Sequence, residues 1–149
     1  MTPWASEYIP QEDVELFKEI RARVEAMPDL DYGTNEDGRK IVLSCHILCR
    51  ALVRIYSTLR VEDGFFRTGL SHSWLVTQKS SIIDPYVPGA IGVLILPQKR
   101  PGFMEVWYSM YEKNGLVEMW NVFGSWSFDA AVTKAEGALR SIHSSTPAH

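Results

Sequence analysis

Cysteine is scarce in this chain. Cys45 and Cys49 are the only two in 149 residues. They stand four apart, so on a helix one thiol lies above the other, and a disulfide between them would cross-link little chain. The absence of a disulfide framework points to a reducing, cytoplasmic setting. Basic charge is also in short supply. Lys and Arg total 15 against 18 Asp and Glu, a net charge of -3, which argues against nucleic acid as the main partner. No apolar run approaches the roughly 20 residues that span a bilayer, so no membrane partner is expected. The stretch MTPWASEYIPQED has neither a basic segment nor an apolar one behind it, so no signal peptide is expected. There is no internal repeat, phosphate-binding glycine loop or dinucleotide fingerprint. What remains is 46% hydrophobic and 22% charged, the balance of an ordinary globular chain. It reads as one domain over residues 1–143 with a loose tail, 144–149.

Periodicity divides the domain. A helix is expected from Pro10 to Met27. Gln11, Glu12 and Asp13 suit its positive end, Val14, Phe17, Ile20 and Val24 form its apolar stripe, and Pro28 ends it. The loop from Asp29 to Lys40 carries turn residues, and its "TNEDGRK" reads as solvated. A second helix is expected from Ser44, its N-cap, to Leu59. It is apolar over so wide an arc that it should be central and buried, with Arg50, Arg54 and Ser57 as a narrow wet face. Strands then follow: Val61–Arg67, a hairpin of His72–Thr77 with Ser80–Asp84, Ile91–Leu96 (a buried strand, with a short helix as the alternative), Phe103–Tyr111 (strand or helix), and Leu116–Phe123 after the Asn114-Gly115 turn. A last helix over Phe128–Ile142 turns Ala130, Ala131, Ala135 and Leu139 inward. Helices, then strands, then a helix make an α+β domain.

The hairpin carries the first chemical signal. A three-residue loop at Thr77, Gln78 and Lys79 sets His72 directly opposite Asp84, on one face, with Cβ atoms about 5 Å apart. A carboxylate there reaches the imidazole Nδ1. A shift of one residue would put the two side chains on opposite faces. The second signal is Cys45, just behind Ser44 at the start of the buried helix. The helix N-terminus favours the thiolate. Its unpaired N–H groups can also meet an oxyanion. Cys45 as nucleophile, His72 as proton shuttle and Asp84 as the group that orients His72 make an acyl-transfer set.

Those residues carry a resemblance. "SCHILC", then "HSW" at 72–74, then "IIDPY" at 82–86 resemble the transglutaminase-like branch of the papain-like cysteine enzymes, over residues 40 to 90. The resemblance implies a transglutaminase-like α+β fold, with the cysteine-bearing core helix packed on an antiparallel β-sheet. It implies the triad Cys45, His72 and Asp84, with Trp74 as the aromatic after the histidine, and acyl transfer at an amide or thioester of a protein or peptide substrate. No cofactor and no metal is called for. Two departures stand out: His46 follows the cysteine where the family commonly has Trp or a small residue, and the interval from Cys45 to His72 is short. Trp74 is a candidate cleft wall, and Tyr32 and Asn35 are candidate oxyanion contacts from the loop.

Blander readings stay open. Cys45 and Cys49 are small residues that suit a buried helix. Asp84 before Pro85 suits a turn bonded to its own backbone. His46 should point to another face than Cys45, and Trp107, Trp120 and Trp126 should pack. Cys45, Cys49, His72 and Asp84 could together ligate zinc. A non-catalytic domain that binds a protein partner is the remaining alternative.

Overall fold

The computed structural model describes residues 9–66, 70–86, 94–96, 108–110 and 122–142. The elements run α1 (Gln11–Glu25), α2 (Cys45–Ile55), β1 (Arg60–Phe66), β2 (Leu70–Val76), β3 (Ile82–Asp84), β4 (Leu94–Leu96), β5 (Tyr108–Met110) and α3 (Trp126–Ser141). The expected turn at Asn114-Gly115, Trp107, Trp120 and the tail lie outside the described residues, as does residue 143.

The α+β expectation holds. The strands form an antiparallel sheet in the order β4-β3-β2-β1-β5, with β1 to β3 at its centre. α2 packs on α3 and on β2 and β1. Its Leu48, Cys49, Ala51 and Leu52 are fully buried and meet Ala131, Val132, Ala135 and Leu139 of α3, with Leu75 and Ile83 from the sheet. Each large aliphatic side chain removed from water there contributes about 1.5–3 kcal/mol, which fixes the depth of α2. Ser44 caps this helix, its Oγ accepting from Ile47 N at 3.3 Å.

Several local expectations need correcting. Pro10 is the N-cap of α1 rather than a residue of its first turn. Arg50 leaves the wet face of α2, because it pairs with Asp63 on β1 and lies over the Phe123 ring at 3.9 Å. Ala130 is exposed, and Val132 is buried in its stead. Val122 and Phe123 are helical, and Ser125 N donates to Val122 O just after them, so they do not continue a strand. Trp126 opens α3 and is 83% exposed, where packing was expected.

The hairpin differs in the way that matters most. Leu75 pairs with Ile83 and Val76 with Ile82. The loop is still three residues long but sits one place later, at Gln78, Lys79 and Ser80. Ser80 N donates to Thr77 O, Thr77 N donates to Ser81 O, and Ser80 takes φ 68°. This is a type I turn followed by a left-handed residue. The anchor is α1: buried Asp13 accepts from Thr77 Oγ1 at 2.9 Å and Ser81 Oγ at 2.6 Å. Both hydroxyls must therefore face α1, which sets the loop. The register moves by two, an even number, so every side chain keeps its face.

Candidate functional site

Continuing that register puts Asp84 opposite Trp74 and diagonal to His72 on the same face. Diagonal neighbours stand about 7–8 Å apart, so the carboxylate meets the far tip of the ring. His72 Nε2 and Asp84 Oδ2 are 2.7 Å apart, and both side chains are fully buried. The expected contact at Nδ1 is thus replaced by one at Nε2. The bland reading of Asp84 holds alongside it: its Oδ1 accepts from Tyr86 N at 3.2 Å in a local turn. One carboxylate both closes the backbone and holds the imidazole.

Cys45 begins α2 at 8% exposure. Burial pushes its thiol pKa up. The neighbouring imidazoles of His46 and His72 and the Ser73 N–H outweigh burial and bring it to about 6. For His72, burial pulls the pKa down. The hydrogen-bonded Asp84 carboxylate, and after it the Cys45 sulfur, outweigh burial and raise it to about 9. The opposed shifts describe one thiolate–imidazolium pair. Cys49, one turn deeper and fully buried, goes the other way. Burial first, then the charges of Asp84 and Cys45, push its thiol well above the ordinary range.

The other sequence candidates fare unevenly. Trp74 is fully buried, with its Nε1 donating to Glu62 Oε2 at 3.2 Å and its ring 6.1 Å from that of His72. It backs the histidine and lines no cleft among the described residues. Tyr32 is buried in the hydrophobic core. Asn35 does reach a cleft, but its Oδ1 is engaged by Asp37 N and Arg39 N. The expected solvated loop is partly anchored: Glu36 accepts from Ser127 N at 3.0 Å and Ser127 Oγ at 2.7 Å at the start of α3. That pins the loop over the N-terminal end of α2. Between them opens a cleft of about 400 Å³ lined by Glu36, Ile41, Ser44, His46 and Phe128 among others. Its lining includes the residues on either side of Cys45.

His46 is the residue the sequence misassigned. Its ring turns toward β2 rather than to solvent, and its imidazole is among the groups that lower the Cys45 thiol. Its Nδ1 is 2.5 Å from Ser73 Oγ and its Nε2 3.3 Å from Ser71 Oγ. The available signal was the alternation Ser71-His72-Ser73 along β2, which puts two hydroxyls on the face opposite His72. Among the described residues, no group of three or more His, Cys, Asp or Glu side chains has a metal-holding arrangement, so the zinc alternative finds no ligand set there. No described helix is long and apolar enough to cross a membrane. No family model, curated protein or solved structure matches this chain.

Proposed function

We propose that the protein is a cysteine-dependent acyl-transfer enzyme acting on amide bonds of a protein or peptide, with Cys45, His72 and Asp84 as its triad. One observation carries the reading: the buried Asp84 carboxylate holds the buried His72 imidazole at 2.7 Å, in surroundings that draw the Cys45 thiol down toward 6 and the imidazole up toward 9. The chain order and the short motifs also resemble the transglutaminase-like branch of the papain-like enzymes. Perturbed, mutually coupled groups at the edge of a cleft are a signature of catalytic sites.

The chemistry follows from the geometry. With Nε2 held by Asp84, Nδ1 is the nitrogen left to serve the sulfur. The Cys45 thiolate attacks the substrate carbonyl, and charge moves onto its oxygen. The N–H groups of the first turn of α2 lack intrahelical acceptors and suit that charge. His72 gives its Nδ1 proton to the leaving nitrogen, the C–N bond breaks, and a thioester remains on Cys45. Water then gives a proton back to Nδ1 and its oxygen to the carbonyl carbon. The C–S bond breaks and thiolate and imidazolium are restored. An amine in place of water yields a new amide. Asp84 stabilises the imidazolium throughout and stays ionised.

The test is to trap the acyl-enzyme. Incubation with a panel of peptide amides and activated esters, quenched in acid, should leave an acyl mass on the peptide that contains Cys45. His72→Ala should remove it. No acyl adduct on Cys45 with any member, from a folded protein, would contradict the reading. A second reading has an observation of its own. His72 and Asp84 are fully buried and Cys45 nearly so, as suits a polar strut inside a domain that only binds. Acylation of Cys45 separates the two.

A further inference from the structure

We propose that the cleft beside Cys45 selects a substrate residue with a long basic side chain, lysine or arginine, and that Asp37 reads its charge. The inference rests on the acyl-transfer reading and names the substrate class for that site.

The cleft offers two kinds of surface. Ile41, Val42, Ile47, Val122 and Phe128 supply apolar wall. Val42 and Val122 are 71% and 48% exposed, so an alkyl chain laid against them takes apolar area out of water. The charged side chains are the carboxylates of Glu36 and Asp37, and among the described residues no Lys or Arg lines the cleft. An occupant that suits both surfaces has an alkyl stem and a cationic head, which is how lysine and arginine are built. A neutral aliphatic side chain covers the valines and leaves the carboxylates unanswered. An acidic one is repelled. The volume of about 400 Å³ falls within the roughly 300–1,000 Å³ of small-ligand pockets.

The two carboxylates are not equivalent. Both oxygens of Glu36 are taken by Ser127, through its N–H at 3.0 Å and its hydroxyl at 2.7 Å. Asp37 stands next in the chain. Its backbone N–H donates to Asn35 Oδ1 at 2.9 Å, but its carboxylate has no hydrogen bond or ion pair within the described residues. It is the charge left for an incoming cation. The turn that carries it is braced. Asn35 Oδ1 also accepts from Arg39 N, Asn35 N donates to Arg39 O, and Gly38 N donates to Asn35 O. Gly38 closes the turn at φ 77°, a conformation glycine adopts without strain. Glu36 ties this turn to α3, so little ordering remains to be done when a ligand arrives.

The cleft also stands in the right place. Ser44 and His46, on either side of Cys45, belong to its lining. In the thioester, the substrate residue that contributed the carbonyl is bonded to Cys45. Its side chain is therefore the one within reach of the cleft. Asp37 meets that side chain and not the reacting atoms, so it sets specificity.

The experiment has two arms. One measures kcat/KM on the p-nitrophenyl esters of acetyl-lysine, acetyl-arginine, acetyl-norleucine and acetyl-glutamate. The other measures binding of fluorescent Ala-Ala-Xaa-Ala-Ala peptides, with the same residues at Xaa, to Cys45→Ala protein by anisotropy. Lysine and arginine should be preferred over norleucine by about fivefold at low salt, and the preference should shrink at about 1 M salt. Asp37→Asn should erase that ratio, Asp37→Glu should keep it, and Asp37→Lys should turn it toward glutamate. Peptide binding should follow the same order. Equal turnover of all the esters, or a basic preference that survives both Asp37→Asn and Asp37→Lys, would overturn the role of Asp37 and leave the acyl-transfer reading standing. Asp37-dependent binding of the lysine peptide, with no turnover of any ester, would do the reverse. Neither turnover nor Asp37-dependent binding would overturn both.

Discussion

Cys45 and Cys49 sit on the same helix one turn apart, both buried, and their thiols move in opposite directions. Burial acts on both in the same sense. The difference lies in what surrounds each sulfur. Cys45 has two imidazoles and a backbone N–H nearby; Cys49 feels the charges of Asp84, Cys45 and Asp63, offset only in part by Arg50, within the aliphatic core. A turn of helix is about 5.4 Å, and over that distance the site passes from one that stabilises negative charge to one that repels it. Reactivity here is a property of the helix end and its strand neighbours, not of cysteine as such.

The largest effect should come from removing each thiol in turn. Cys45→Ala is expected to lower amide or ester turnover at least about a thousandfold, as for other nucleophile deletions, while Cys49→Ala keeps turnover within a few-fold of wild type. Comparable losses in both, measured as kcat/KM, would erase the distinction. Next is the carboxylate behind His72. Asp84→Ala removes one partner of a buried pair and should cost about 3–5 kcal/mol in denaturant unfolding. Asp84→Asn keeps the shape, and its signature is a lowered His72 pKa read by NMR titration together with lost activity.

The pH dependence sharpens the contrast. Cys45 has its pKa depressed to about 6, so its stabilising charge is lost as pH falls through that value. His72 has its pKa raised to about 9, so its contribution is lost as pH rises through that value. Both activity and the pair's contribution to stability should therefore fill the window between about 6 and about 9, with a bell-shaped kcat/KM. Cys49 predicts a milder change: Cys49→Ser buries a hydroxyl in the core and should cost about 1–3 kcal/mol with activity intact. The smallest effect concerns the hairpin loop. Ser80 holds a left-handed conformation at φ 68°, so Ser80→Gly should raise stability by up to about 1 kcal/mol without altering the register.

The sequence showed part of this in advance. The Ser44 cap and the wide apolar arc of α2 were legible because capping and periodicity are local. The meeting of His72 with Asp84 was legible although the register was misread by two, since an even slip preserves faces. The choice of ring nitrogen was not legible, because it depends on the diagonal offset that Asp13 imposes through Thr77 and Ser81, more than 60 residues away in the chain. His46 was missed for a related reason. Successive helical residues diverge by about 100°, which argues that Cys45 and His46 part company. Ser73 and Ser71 of β2 nonetheless hold the His46 ring against the sheet, a contact only the pairing of helix with strand reveals. Trp74 and Tyr32 were misjudged because an aromatic near a motif looks the same in sequence whether it lines a cleft or fills the core.

The most direct test is an ultraviolet titration of the Cys45 thiolate in the Cys49→Ala protein, where a single sulfur reports. A midpoint near pH 6 that rises markedly in His72→Ala is the predicted result. A midpoint at the ordinary thiol value near 8.5, unmoved by loss of His72, would contradict the account.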